Sequence, residues 1–241
     1  MRVMATIAYD GSAFYGFQRQ TSTPQTVTGQ IEASLRQLQI NTQIVGSGRT
    51  DRGVHATGQV IHFDLPDYWH DLEKLHTILN RRLDAIQFRS LKQVPDDFHA
   101  RFWAKRRRYR YLFSTETVSV FERNHIAHYP CSFDLSRLNS ALALFIGTHD
   151  FQAFYKTGSE VHTTVRTVSR AFAYPYKKKF VIVFEADGFL RSQVRMMVDA
   201  AMACARGMSD LETLKAKIDA KSNAATKLAP AQGLYLAKIH Y

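Results

Sequence analysis

The stretch Gly46-Ser47-Gly48-Arg49-Thr50-Asp51-Arg52-Gly53-Val54-His55-Ala56 decides how this chain is read, because of what stands on either side of it. Residues 43–46 and 57–65 both read as strands. In the second, Val60, His62 and Asp64 fall on one face against Ile61, Phe63 and Leu65 on the other. A glycine-rich turn that opened a helix would indicate a dinucleotide-binding loop, but here the third glycine falls only at Gly53 and alternation follows. A P-loop fails too, since no Gly-Lys-Ser/Thr is present. What remains is one carboxylate among glycines and two arginines. Glycine admits φ > 0 and close approach of a ligand, while Arg49 and Arg52 favour the ionised form of Asp51 and attract an anionic substrate. A surface Asx-turn with solvated charges is the plainer reading of the same residues.

On the N-terminal side, residues 2–9 alternate as a strand that Asp10-Gly11-Ser12 ends. Val27, Ile31, Leu35 and Leu38 then predict an amphipathic helix over 26–39 despite Gly29. On the C-terminal side, Asp71 is placed as the N-cap of a helix carrying Leu72, Leu75, Leu79 and Leu83, and a strand over 86–94 follows. The order is β-α-β-β-α-β. Beyond Pro95-Asp96-Asp97-Phe98 that order repeats with unrelated residues: a strand at 108–114, a helix at 134–146 stopped by Gly147, and a strand at 164–174. Pro175-Tyr176-Lys177-Lys178 turns the chain into a strand on which Phe180, Ile182 and Phe184 alternate. A long helix over 189–206, a shorter one over 210–218 and a final strand over 234–241 complete it.

The expected fold class is α+β, with two tandem split-βαβ halves, 1–95 and 96–241, each an antiparallel sheet with helices on one face. Their open faces could form one binding surface. The RNA-binding RRM domain shares this element order, although neither half shows its consensus aromatic strand motif.

A chain of 241 residues buries a substantial core without staples. Its two cysteines, Cys131 and Cys204, lie far apart and outside any C-x-x-C pattern, which argues against a disulfide framework or structural zinc and fits a reducing cytoplasm. Asp10 interrupts the N-terminal segment before an apolar region of signal-peptide length develops, and no apolar run approaches the roughly 18 residues of a membrane span. The expectation is a soluble, unsecreted, cytoplasmic protein with no membrane partner. The formal charge of +11 points to a polyanion, nucleic acid foremost. Lys105-Arg106-Arg107-Arg108-Tyr109-Arg110-Tyr111 interleaves cations with aromatics, which suits phosphates that pair and bases that stack. Lys177-Lys178-Lys179 reads as a solvated hairpin tip. His125 and His128 are spaced i, i+3, and His62, His70 and His76 are scattered without a completing Cys or carboxylate set, so no metal is expected. No G-x-S-x-G elbow exists and Cys131 has no evident activating partner, so acyl transfer lacks support.

Asp51 is left as the candidate. Its motif Gly48-Arg49-Thr50-Asp51-Arg52-Gly53-Val54-His55-Ala56 closely resembles the catalytic loop of the tRNA pseudouridine synthase A family. Further segments agree in the family's order: Tyr9-Asp10-Gly11 with Phe14, Gly16, Phe17 and Gln18, then Phe98-His99-Ala100-Arg101 followed by Arg108-Tyr109-Arg110-Tyr111. His149-Asp150-Phe151, Gly188-Phe189-Leu190 with Val194-Arg195, and Ala229-Pro230-Ala231-Gln232-Gly233-Leu234-Tyr235-Leu236 complete the set, so the resemblance spans nearly the whole chain. It implies that Asp51 is the essential aspartate, Tyr109 the active-site tyrosine, Arg195 the basic residue that pairs with the aspartate, and Arg49 an arginine near the flipped nucleotide. It further implies isomerisation of uridine to pseudouridine at positions 38 to 40 of the tRNA anticodon stem-loop, without a cofactor, by a homodimer. Three departures stand out: Gln193 where many members have methionine, Arg52 where alanine is frequent, and a chain somewhat short for the family.

The chemistry breaks the N1–C1′ bond of uridine, turns the uracil and rejoins it through C5 with no net redox change. A carboxylate serves as nucleophile or base if it stays ionised, and a nearby cation lowers its pKa by roughly one to three units. Arg195 is expected to supply that cation, its plainer reading being a solvent-facing helix arginine. Tyr109 is expected to stack on the extruded base, its plainer reading being a half-buried strand aromatic. A noncatalytic RNA-binding protein accounts equally for charge and element order. It does not account for a lone carboxylate in a glycine-rich loop, which would weaken phosphate binding unless it had another task.

Overall fold

The computed structural model describes residues 1–156, 158, 161–219 and 227–241. The fold is mixed α+β with mostly antiparallel strands, and it divides into two units, 1–105 with 235–241, and 106–234.

In the first unit, β1 (Arg2–Tyr9) alternates strictly and buries Val3, Ala5, Ile7 and Tyr9. α1 (Val27–Arg36) begins at Thr26, whose hydroxyl accepts from the Gly29 amide, and buries Val27, Ile31 and Leu35. β2 (Val45–Gly46) and β3 (His55–Asp64) flank the Asp51 loop, and they pair antiparallel with each other, as β3 does with β1. α2 (Leu72–Arg82) starts at the expected Asp71, which accepts from the Lys74 amide, and β4 (Ile86–Gln93) forms the edge beyond β1.

The last strand, Leu234–His240, runs almost wholly within the first unit, where it pairs in parallel with β3, Tyr235 opposite His55 and Leu236 opposite Ala56. Two local features permit this. A Cβ on Gly58 would overlap the Ala237 carbonyl, and the Tyr235 ring stacks on His55 at 4.6 Å.

In the second unit, β5 (Arg106–Ser114) turns Tyr109, Tyr111 and Phe113 inward and is joined in parallel by the two-residue β6 (Ala127–His128). α3 (Leu135–Ala143) is capped by Asp134 and ends before Gly147, whose φ of +118° breaks the helix. Gly147 also opens β7 (Gly147–Asp150), a short strand that the sequence reading did not anticipate. β8 (Val165–Tyr176) and β9 (Lys179–Ala186) form a hairpin whose two-residue turn places Lys177 at φ +55°, so Lys177 and Lys178 mark a solvated tip, whereas Lys179 is half-buried and pairs with Glu122. The sheet order is β5-β9-β8-β7. α4 (Gln193–Ala205) starts four residues later than expected because Ser192 adopts a left-handed conformation, and α5 (Leu211–Ile218) follows.

Each unit contains the same edge-sealing device. In α2, Asn80 accepts from the Phe88 amide at 2.7 Å and donates to the Phe88 carbonyl at 2.9 Å, occupying both backbone groups on β4. In α3, Asn139 does the same to Ala173 of β8, at 2.7 and 3.1 Å, where β7 no longer reaches. Leaving such groups without partners costs about 1–3 kcal/mol each. Asn80→Leu and Asn139→Leu are each expected to destabilise the protein by about 2 kcal/mol or more in urea unfolding; a loss below a few tenths would show that water replaces the asparagine.

His62 is buried on β3, and its Nδ1 accepts from the Ala100 amide at 3.1 Å, which requires an unprotonated nitrogen. Burial first, then the Arg2 guanidinium and His99, lower its pKa from 6.5 to about 4. The folded state therefore resists a proton that the unfolded chain accepts. Stability is unaffected above 6.5 and is lost as pH falls from there towards about 4. Urea titrations across this window should show a shallower fall for His62→Gln than for the parent protein, and identical slopes would remove His62 as the cause.

Candidate functional site

The Asp51 loop is built from backbone fit. At its start the Ser47 amide donates to the Val60 carbonyl at 2.8 Å, and the Ser47 hydroxyl donates to Gln59 Oε1 at 2.7 Å. Gln59 in turn donates from Nε2 to the Gly48 carbonyl at 2.6 Å, so one buried amide closes the loop's entrance. At its end the Val54 amide donates to the Asp51 carbonyl at 3.1 Å, forming a turn in which Gly53 takes φ +77°. The expected need for glycine is met at this position.

A second segment, 10–17, braces the loop from the side. A Cβ on Gly11 would overlap the Val54 carbonyl, and Gly16, at φ +117°, lies where a Cβ would stand 3.3 Å from the Thr50 carbonyl. The Phe17 amide donates to Thr50 O at 3.1 Å, and the Thr50 hydroxyl meets the Tyr9 phenol at 2.8 Å. His55, fully buried, accepts the Gly11 amide proton on Nδ1 at 3.0 Å. Asp10 Oδ1 lies 3.2 Å from the same nitrogen but is already held by the amide and hydroxyl of Ser12. Tyr9, Gly11, Gly16 and His55 thus fix the loop's backbone around Thr50 and Val54.

Within this frame Asp51 is half-buried, whereas Arg49 and Arg52 are exposed. Among the described residues neither arginine forms an ion pair with Asp51. Arg52 instead turns its guanidinium over the Tyr15 ring, 4.3 Å from the centroid.

The second unit carries the other two candidates. Tyr109 faces inward from β5 opposite Phe184, only 8% exposed, with the Phe189 ring edge-on at 5.3 Å. Phe189 is positioned by Gln193, whose Oε1 accepts from the Leu190 amide at 2.7 Å and so holds the loop before α4. A methionine could not accept this bond as well, so the departure at Gln193 has a structural use that sequence alone did not disclose. Arg195 sits in the first turn of α4, half-buried rather than solvent-facing. Its Nε donates to the Ala229 carbonyl at 2.7 Å, and Ala229 returns a backbone bond at 3.2 Å. The neighbouring Pro230 carbonyl accepts from Tyr111, whose pKa is raised chiefly by burial, so its proton stays in place.

The basic run behaves differently from a free phosphate-binding stripe. Glu185 on β9 is 1% exposed and holds Arg108 at 2.7 Å and Arg106 at 3.2 Å, while Arg107 donates to the Asp187 carbonyl at 2.6 Å. A lone carboxylate at the end of the apolar run Phe180-Val181-Ile182-Val183-Phe184 was the available sequence signal for this network.

Comparison with known proteins fits this arrangement. The family model described as tRNA pseudouridine synthase matches residues 5–103 and 141–241. Proteins named tRNA pseudouridine synthase A are similar over the full length. That of Wolinella succinogenes is 38% identical over 99% of this chain and 94% of its own. That of Leuconostoc citreum is 37% identical over 100% and 97%, and that of a Geobacillus species 37% over 100% and 98%.

Because Gly11 meets the loop through backbone atoms on both sides, no side-chain shift can relieve an added methyl. Gly11→Ala is expected to cost about 1–3 kcal/mol in thermal or urea unfolding and to open the peptide bonds of residues 47–54 to protease. A variant with parental stability and protection would show that this contact does not brace the loop.

Proposed function

The chain belongs to the tRNA pseudouridine synthase family, and on that premise we propose that it isomerises uridine to pseudouridine in the tRNA anticodon stem-loop, at positions 38 to 40, with Asp51 as the catalytic carboxylate. Membership makes it an isomerase acting on tRNA uridine. The observation that carries the assignment to Asp51 is the half-buried carboxylate on a loop whose backbone is immobilised from both ends and from the side. Preorganisation of this kind is what a reacting group needs, and a solvated Asx-turn has no use for it.

The reaction releases uracil from C1′, rotates it and forms the C5–C1′ bond, with the C5 hydrogen leaving as a proton and N1 taking up a proton, so that the product is an isomer of the substrate. Asp51 acts by attack at C1′, attack at C6 or removal of a ribose proton. The target nucleotide must first leave its stack, at a cost of a few kcal/mol. We assign Tyr109 to the extruded base, for which an inward-facing ring in a rigid aromatic setting is suited, Arg195 to the role of catalytic cation, and Arg49 to the substrate backbone. The exposed stripe of Phe172, Tyr174 and Tyr176 on β8 supports a homodimer that grips tRNA with both subunits, since a second copy would cover this apolar surface. No described helix is long and apolar enough to cross a membrane. With tRNA as substrate, we place the enzyme in the cytoplasm.

Release of tritium from tRNA carrying 5-tritiated uridine tests this reading. Asp51→Ala and Asp51→Asn are expected to lower the rate by at least about a thousandfold while tRNA affinity stays within a few-fold of the parent. Normal turnover by either variant would remove Asp51 from the chemistry. Binding without any release by the parent protein would favour a noncatalytic RNA-binding role.

A further inference from the structure

Arg52 follows Asp51 directly. Its guanidinium carbon lies 4.3 Å from the centroid of the Tyr15 ring, which is 47% exposed, and among the described residues it makes no ion pair. An exposed arginine ordinarily samples many rotamers; here both partners of the contact sit on fixed backbone. Tyr15 donates its amide to the Gln25 carbonyl at 2.9 Å, and its own carbonyl accepts from Gln20 Nε2 at 2.8 Å. Gly16, next to Tyr15, lies where a Cβ would stand 3.5 Å from the Arg52 amide nitrogen. The result is a cation restrained on one side by an aromatic ring, its guanidinium making no hydrogen bond among the described residues, one residue from the proposed catalytic carboxylate.

We propose that Arg52, held by Tyr15, is a substrate-binding residue that grips the RNA phosphate flanking the uridine presented to Asp51. This rests on the proposed function above. Arg52 touches the RNA, and Tyr15 acts through Arg52 as a positioning residue. A planar guanidinium matches a phosphate by paired N–H donors, and restraint before binding lowers the entropy lost on contact. A cation that merely braced the 12–25 loop would have no reason to leave its donors to solvent.

The test uses the full-length protein, with kinetics of tritium release from tRNA and fluorescence anisotropy of a labelled stem-loop RNA, both across a salt series. Arg52→Ala is expected to raise KM about tenfold, to lower kcat far less, and to reduce the slope of log affinity against log salt by about 0.7. Arg52→Lys keeps the charge without the planar fork and should recover the salt slope but only part of the KM. Tyr15→Phe should resemble the parent, Tyr15→Ala should resemble Arg52→Ala, and adding Tyr15→Ala to Arg52→Ala should change little more. Unaltered KM and salt slope in Arg52→Ala would overturn the proposal, as would a lowered melting temperature with kcat alone affected, which marks a structural brace. Anisotropy separates failures: an inactive parent whose RNA binding still loses salt dependence on Arg52→Ala sinks the catalytic reading and leaves the phosphate contact standing.

Discussion

The candidate site depends on two backbones lying closer than any side chain allows. Gly11 and Gly16 bring the 10–17 segment onto the carbonyls of Val54 and Thr50. This contact determines the path of the loop that carries Asp51. The polar groups freed by so close an approach are satisfied locally: Thr50 O by the Phe17 amide, the Thr50 hydroxyl by Tyr9, the Gly11 amide by His55. Removing the Tyr9 hydroxyl or the His55 ring would leave a buried polar group unpaired, so the motif's small and polar residues act as one unit. The strands on either side then behave as a rigid mount, since Gln59 and Ser47 tie the loop's entrance to β3 itself.

Elements whose signals are local were legible in the sequence. α2 is delimited by Asp71 as cap and by leucines at helical spacing, and β1 by strict alternation, because in each case the deciding interactions lie within a few residues. The misplacements all involve information from far along the chain or from an unusual dihedral. α4 begins at Gln193 only because Ser192 is left-handed, which no periodicity announces. The last strand's pairing with β3 is likewise not local, since Gly58 leaves room for Ala237 about three quarters of the chain away. At the site, the residue types were readable from motif resemblance. The roles of Gln193 and Glu185 were not, since an amide and a carboxylate in apolar surroundings reveal themselves only through the partners that folding brings.

The charge surplus also reads differently once partners are known. A net +11 invites the view that every cluster of arginines awaits phosphate. Yet the densest run spends Arg106 and Arg108 on the buried Glu185, and Arg2 forms a two-point pair with Asp64 that lowers the aspartate's pKa. Removing a carboxylate from water at Glu185 is costly, and two guanidinium partners are what make it tolerable on the sheet. Arginines so engaged secure strand pairing between β5 and β9, which holds Tyr109 at its register opposite Phe184. Among the described residues, Arg49 and Arg52, on either side of Asp51, have no such ion-pair partner.

The start of α4 applies the same logic to the second unit. Gln193 reaches back to Leu190 and stations Phe189 against Tyr109, while Arg195, two residues on, reaches sideways to Ala229. Tyr111, two residues from Tyr109 on the same face of β5, binds Pro230, the residue after Ala229. Strand, helix start and the 229–233 segment are thereby tied in a closed circuit of side-chain contacts. Gly233 tightens it further: a Cβ there would stand 2.7 Å from the Leu112 carbonyl and 2.8 Å from the Tyr111 ring. A tyrosine and an arginine set in such a circuit cannot shift independently. In each unit, then, the candidate side chains stand on backbone pinned at several points by other residues of the matching motifs, and a resemblance scattered along the chain instead of concentrated at Asp51 is what such bracing requires.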